Sequence, residues 1–303
     1  YSFRVSLRVG LLTLITLVAF AANSVLCRMA LAEELIDPVA FTVLRLASGV
    51  FILIPLAALT SEPRPAGRPA GSWGSGLALF IYAMAFSLAY VSLETGTGAL
   101  ILFGSVQVTM IGAGLWQGER PAAREWLGLV VAMAGLVYLV FPGITAPDPV
   151  GAALMTMSGI GWGVYSLRGR RRKAPIVATA GNFARALPLA LLGLVIGWGS
   201  THFSPRGAAL AVISGGITSG LGYVIWYVTL RHLSATRAAI VQLAVPVLAA
   251  AGGIAILSEK PTLRLGVASL MILGGIGMAT IAGGRATTNL VRRPRDGEHG
   301  SRD

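Results

Sequence analysis

Ten apolar runs follow one another along the chain, each parted from the next by a few polar or charged residues. They cover roughly residues 10–31, 38–60, 73–93, 97–117, 122–142, 149–168, 176–199, 207–230, 235–257 and 263–283. Each is close to the ~20 residues that carry a helix across a bilayer core. The runs are continuous and rich in Gly, Ala and Leu, without the short alternating segments of a membrane barrel. Lipid also offers an open strand edge no hydrogen-bonding partner. The pattern therefore predicts an all-α integral membrane protein with ten transmembrane helices. The connections "ELIDP", "GERP", "FPGITAPDP", "STHFSPRG" and "SEKP" carry turn and cap residues.

Composition strengthens this reading. The chain is 55% hydrophobic and 12% charged, about half the ~25% charge of a soluble domain. One cysteine, Cys27, leaves no intrachain disulfide and no cysteine-based metal cluster, and nothing implies a metal or a cofactor. The net charge is +12, from 22 Arg and 2 Lys against 12 acids. On a soluble chain that balance would suggest nucleic acid. Here the cations gather in alternate connections, and the bilayer is the expected partner instead. With the N-terminus inside, the cytoplasmic segments hold Arg4, Arg8, Arg64, Arg68, Arg120, Arg124, the cluster Arg168/Arg170/Arg171/Arg172/Lys173, Arg231, Arg237 and five tail arginines. The outer loops hold only Arg206, Lys260 and Arg264. That bias puts both termini in the cytoplasm. Residues 285–303 are polar and Arg-rich and read as a disordered cytoplasmic tail.

The chain repeats itself at an interval of 140. Leu93 matches Leu233, Glu119 of "GERP" matches Glu259 of "SEKP", Pro121 matches Pro261, Gly135 matches Gly275 and Arg45 matches Arg185. Two units result, 10–142 and 148–283. Five helices per unit is an odd number, so the second unit enters the membrane upside down. Inverted repeats recur in secondary transporters, with the substrate site near the midplane between them.

The stretch "GYVIWYVTLRHLSATRAAIVQLAVPVLAAAGGIAILSEKP" and the "GERP" of the first half resemble the EamA domain of the drug/metabolite transporter superfamily. The resemblance covers essentially 10–283. The first half departs from it, with Val106 where the second half has Pro246. The resemblance implies a ten-helix carrier of the bacterial inner membrane, similar to exporters of aromatic and neutral amino acids. It also implies a cavity lined by spans 1, 3, 4, 6, 8 and 9, with spans 5 and 10 peripheral.

Polar groups inside a bilayer are costly and are functional candidates. Asn23, Gln107 and Gln242 both donate and accept, which suits a neutral or zwitterionic solute. Each could equally tie two helices together. Tyr82 and Phe86 share a face of span 3. Trp162 and Tyr165 lie in span 6, and Tyr223, Trp226 and Tyr227 in span 8. Aromatic rings of this kind offer apolar area, a polar tip and a π face for an ammonium group. Tyr90, Trp226 and Tyr227 also fit an interface belt, as do Trp73, Trp116, Trp126 and Trp198 at span ends. Pro246 is a candidate hinge in span 9. Arg28 falls within reach of Glu33 or Glu34, and Arg45 and Arg185 read either as snorkelling side chains or as carboxylate binders.

Absences narrow the function. No Asp or Glu lies in mid-span, so proton coupling through a buried carboxylate is disfavoured. The serines of "MSGIG" and "ITSGL" have no His in a partnering span, no pair of Asp lies at depth and no Walker A sequence occurs, which argues against an enzyme. The expected activity is uncoupled export of small neutral or aromatic amino acids by alternating access, by a monomer or weak homodimer. A carrier for hydrophobic compounds and a passive channel are the alternatives.

Overall fold

The computed structural model describes residues 2–60, 71–140, 147–170, 172–196, 201–264, 266–275 and 278. Among them are ten helical segments: α1 Ser2–Ala32, α2 Pro38–Leu59, α3 Trp73–Ala89, α4 Thr95–Trp116, α5 Ala123–Val140, α6 Pro149–Gly169, α7 Pro175–Ile196, α8 Pro205–Leu230, α9 Ala235–Leu257 and α10 Gly266–Gly275. No strand occurs among the described residues, only an isolated bridge between Ile36 and Phe203. Seven of the helices, α1, α2, α4, α6, α7, α8 and α9, are long and apolar enough to cross a membrane. Helix α3 is shorter than its apolar run because Tyr90 to Ser92 turn the chain instead of extending the helix. The expected tail at 285–303 and Trp198 lie outside the described residues.

The helix starts follow from the connections. Asp37, Asp148 and Ser204 each precede a proline at the first helical position, and each side chain accepts from a backbone N–H of the first turn. Proline lacks the N–H that would be orphaned there, and the acid or hydroxyl satisfies the next ones. Proline acts differently inside helices. Pro55 and Pro188 are carried without interruption. Upstream of Pro246 the α9 winding breaks at Leu243, where the missing N–H releases the carbonyl of Gln242.

Packing pairs the two halves. Helix α1 lies against α8 and α9, as α6 lies against α3 and α4; α2 meets α7 and α8, as α7 meets α2 and α3; α4 meets α9. Exchanging each helix of one half with its counterpart in the other leaves this partner list unchanged. Small residues allow the close approaches. A side chain at Gly159 of α6 would strike the Leu102 carbonyl of α4, and one at Gly215 of α8 would strike the Arg45 carbonyl of α2. Peripheral α5 and α10 meet at the repeat-matched pair: Gly135 packs on Ala268 and Met271, and Gly275 on Gly128 and Ala132. The outward faces carry Phe51, Val108, Trp116 and Leu270, an apolar surface suited to lipid. Trp73 and Trp126 are also exposed, whereas Tyr90, Trp226 and Tyr227 are buried, which takes these three out of an interface belt.

The repeated glutamates tie the two ends of the α4–α9 pair together. Helix α4 ends in a left-handed turn at Gly118 (φ 84°), and α9 ends in one at Ser258 (φ 57°). Each turn folds the following glutamate back toward the other half. Glu119 Oε1 accepts from the Ala235 N–H at 2.9 Å, and its Oε2 from the Thr236 N–H at 3.2 Å and hydroxyl at 2.9 Å, at the start of α9. Glu259 Oε1 accepts from the Thr95 N–H at 3.0 Å and hydroxyl at 2.7 Å, at the start of α4. Each helix thus carries past its own end the cap for the other's beginning, which requires α4 and α9 to run antiparallel. Arg170 adds an ion pair to Glu119 at 3.3 Å.

Partial burial alone would raise the Glu119 carboxyl. The Ala235 and Thr236 donors and Arg170 outweigh it and hold the group below the usual carboxylate range. A depressed folded-state value means that the cap contributes fully above the ordinary carboxylate pKa and is lost as pH falls through the lowered one. Glu119→Ala should destabilise the purified protein by about 1 kcal/mol, in the range of a lost helix cap. Thermal unfolding in detergent should show a lower Tm at pH 7, with the gap between variant and wild type closing below about pH 4. An unchanged Tm at pH 7 would mean that water replaces the cap without cost.

Candidate functional site

The polar and aromatic groups of α1, α2, α3, α6 and α8 converge in mid-bundle. The convergence depends on an irregularity in α8: residues Ser214–Leu221 wind as a π-helix. Its wider i→i+5 turn brings Ser214 and Ser219 onto one face, which lies on Asn23 of α1. Asn23 Oδ1 accepts from Ser214 Oγ at 2.6 Å and from Thr218 and Ser219 at 3.3 Å each. Its Nδ2 donates to Tyr82 Oη at 3.3 Å.

Arg45 enters this cluster from α2 and is 1% exposed. Its Nε donates to Ser219 Oγ at 3.0 Å, and its Nη2 to Tyr223 Oη at 2.7 Å and Tyr82 Oη at 2.9 Å. The guanidinium carbon lies 5.1 Å from the Tyr82 ring centre and 5.0 Å from that of Phe86, within cation–π range. The tyrosine hydroxyls meet at 3.0 Å.

The aromatic groups surround this cluster. Trp162 packs on Tyr223 (4.6 Å between centres), Phe20 (5.0 Å) and Tyr82 (5.0 Å), and Phe86 packs on Tyr90 (4.7 Å). Tyr165 stacks between Trp162 and Tyr227. The ring N–H groups are satisfied: Trp162 donates to Gln242 Oε1 at 2.8 Å and Trp226 to Ser166 Oγ at 3.1 Å. Tyr227 donates to the Tyr165 carbonyl and accepts from Asn182.

Between these rings lies a narrow cavity lined by Phe20, Ser24, Tyr82, Phe86, Leu102, Phe103 and Trp162. It has room for about one water molecule. The centre is therefore closed, and admitting a solute requires the rings or helices to move. A larger recess of about 360 Å³ opens at the Glu259 end, between Arg28, Glu33, Arg206, Ile256 and Glu259.

Of the predicted residues Tyr82, Phe86 and Trp162 line the cavity; behind them Asn23 and Tyr223 bond to Tyr82, Tyr165 stacks on Trp162, and Trp226, Tyr227 and Gln242 bond to Ser166, the Tyr165 carbonyl and Trp162. Gln107 stands apart: its Nε2 donates to the Ala239 carbonyl, tying α4 to α9. Pro246 is buried in α9 below the break at Leu243. Arg28 departs from the expected pairing with Glu33 or Glu34. It donates to the Tyr90 and Val91 carbonyls at 2.9 and 3.0 Å, because the end of α3 presents free carbonyls to it, while Glu33 pairs with Arg206 at 2.8 Å. Arg185 lies over Trp73 and donates to the Gly181 carbonyl. Ser214, Ser166 and Asn182 escaped the sequence reading, and Ser219 entered it only as a hydrolase serine without a His partner. The signal for Ser214 and Ser219 was a pair of serines five apart in a glycine-rich run, a spacing that straight α-helical winding places on different faces.

Comparison with known proteins agrees with this architecture. The profile of the EamA-like transporter family matches twice, over residues 8–141 and 149–281. An uncharacterized protein of Pseudomonas aeruginosa is 49% identical over 271 residues, 89% of this chain and 94% of that one. An uncharacterized transporter of Archaeoglobus fulgidus is 25% identical over 206 residues, 65% of this chain and 71% of its own length. The uncharacterized inner membrane transporter YedA of Escherichia coli is 28% identical over 103 residues, 34% of this chain and 32% of its own length. A solved crystal structure superimposes with a TM-score of 0.67 at 22% identity, covering 90% of this chain and 98% of the other, which supports the fold. With both halves matched by the profile, the chain belongs to the EamA-like transporter family and is a multi-pass membrane transporter, not an enzyme.

Proposed function

We propose that the protein is a secondary carrier that exports small neutral or aromatic amino acids across the bacterial inner membrane by alternating access. The observation that carries the reading is the closed aromatic cavity with polar tips, placed between the two halves. Among the described residues the centre leaves room for about one water molecule, which suits a carrier that moves its helices to pass a solute. The aromatic lining alone would also suit an uncharged hydrophobic solute. The Asn23, Tyr82 and Arg45 cluster at its edge favours an amino acid.

Ten spans in two inverted five-helix units supply the moving parts of this mechanism. The reciprocal caps on α4 and α9, and the partner list that survives exchange of the halves, support that reading. In it, α1, α3, α4 and α6 border the closed cavity, α8 and α9 back it through Tyr223 and Gln242 and join the lining as it opens, α9 bends at Pro246, and α5 and α10 stay at the rim as a surface for at most weak dimerisation. Among the described residues no Asp or Glu is buried in a helix, so transport runs down the cargo's own gradient. The Glu119 end is cytoplasmic, as the Arg bias requires.

Counterflow in proteoliposomes tests the activity. Vesicles loaded with one unlabelled aromatic or neutral amino acid should accumulate trace label of the same compound, saturably, and without a pH gradient. Trp162→Ala and Tyr82→Ala should raise the half-saturation concentration about tenfold, the loss of one good aromatic contact. Absence of counterflow across the panel, with a hydrophobic dye transported instead, would replace the cargo assignment. Flux that requires a pH gradient would overturn the uncoupled mechanism. For orientation, a C-terminal green fluorescent protein fusion should fluoresce and a C-terminal alkaline phosphatase fusion should be inactive. The reverse pattern would invert the topology.

A further inference from the structure

We propose that Arg45 anchors a carboxylate on the cargo, so that the solutes recognised at this site are acids or zwitterions whose anionic group docks on the free Nη1 edge of its guanidinium beside Tyr82 and Tyr223. The proposal deepens, and rests on, the reading of the aromatic cavity as the transport site.

A count of donors and acceptors carries it. The guanidinium offers five N–H groups. Nε is taken by Ser219, and Nη2 by Tyr82 and Tyr223. Nη1 is buried and has no partner. The hydroxyls that receive Arg45 cannot serve as its counter-charge. Tyr82 Oη already accepts from Asn23, Arg45 and Tyr223, and no acceptor stands beyond it for its own proton. The cluster thus holds two N–H donors and one O–H donor too many. The one side-chain carbonyl within it, Asn23 Oδ1, is already filled by Ser214, Thr218 and Ser219.

Charge leads to the same conclusion. The titratable neighbours of Arg45 are Tyr223, Tyr82 and Cys27, uncharged in their common forms, and none is a carboxylate. A buried cation with no counter-ion is among the costliest arrangements a membrane protein can hold. The other arginines inside helices are arranged differently: Arg28 donates to two carbonyls at the end of α3 and Arg185 to the Gly181 carbonyl. A purely structural Arg45, joining α2 to α3 and α8, would need only Nε and Nη2. The surplus on Nη1 suits a ligand that brings two oxygens and one negative charge, a carboxylate. Position fits as well. The guanidinium lies against Tyr82 and Phe86, two of the rings that line the cavity.

The test compares a carboxylate with its carboxamide isostere on the purified full-length protein. Binding of phenylacetate and phenylacetamide is measured by thermal shift and calorimetry, with wild type, Arg45→Gln and Arg45→Lys. In parallel, phenylalanine and phenylalaninamide compete in counterflow. The wild type should prefer the acid of each pair by about tenfold or more, the value of one charge-assisted hydrogen bond. Arg45→Gln should abolish that preference, and Arg45→Lys should keep part of it. A role limited to joining helices would lower Tm without changing the acid-to-amide ratio, and that result would overturn the proposal. If Arg45→Gln does not fold, the wild-type comparison decides alone: equal binding of acid and amide, or binding of neither, overturns it. Phenylacetate binding with phenylalanine inert would remove the amino-acid assignment and leave the anchor standing.

Discussion

The structure depends on a reciprocal bond between its halves: the glutamate after α4 caps the start of α9, and the glutamate after α9 caps the start of α4. Four N–H groups at a helix start have no partner within the helix, and the helix dipole adds partial positive charge there. A carboxylate answers both needs. Because each half supplies it to the other, α4 and α9 are fixed antiparallel and in register, and this sets where α1, α3, α6 and α8 can close around them. Helix α4's own N-cap residue, Glu94, makes no side-chain cap bond, so nothing local substitutes for Glu259. Each cap is worth only about 1 kcal/mol and sits at the water-exposed end of the bundle. Water can therefore replace one cap while the other holds.

Much of this was legible in the chain. Each apolar run contains a helix among the described residues, and the Asp-Pro and Ser-Pro pairs mark helix starts because their chemistry acts over three residues. The repeat drew attention to Glu119 and Glu259 but could not say what they bind. Their partners lie 116 and 164 positions away, and no local rule spans that distance. Arg28 illustrates the same limit. Two acids stood close to it in sequence, yet the carbonyls at the end of α3 took it. Ser214 and Ser219 were hidden for another reason. Helical-face reasoning assumes 3.6 residues per turn, and α8 departs from that winding where it crosses α2.

Asn23, Tyr82 and Trp162 lie deep in their spans, a property that the sequence shows and that their burial matches. Whether a deep polar group faces a cavity or a neighbouring backbone is a different question. Gln107 and Asn23 have the same chemistry and comparable depth. Gln107 met the Ala239 carbonyl across the α4–α9 seam, while Asn23 met a row of hydroxyls and a tyrosine. The difference lies in the partner helices: α9 offers a carbonyl there, and α8 offers the serines of its wide turn.

The closed centre also bears on how transport would proceed. Edge-to-face and tilted contacts of about 0.5–1.5 kcal/mol each hold Phe20, Tyr82, Trp162 and Tyr223 together. A solute passing through the centre must separate some of them, and it can do so at little net cost only by offering equivalent contacts of its own. An aromatic or branched side chain does this; a water molecule does not. In the proposed carrier, the rings that close the centre would give way to a solute shaped like them, and the polar cluster behind Tyr82 would ask that solute for an acceptor on the free Nη1 of Arg45.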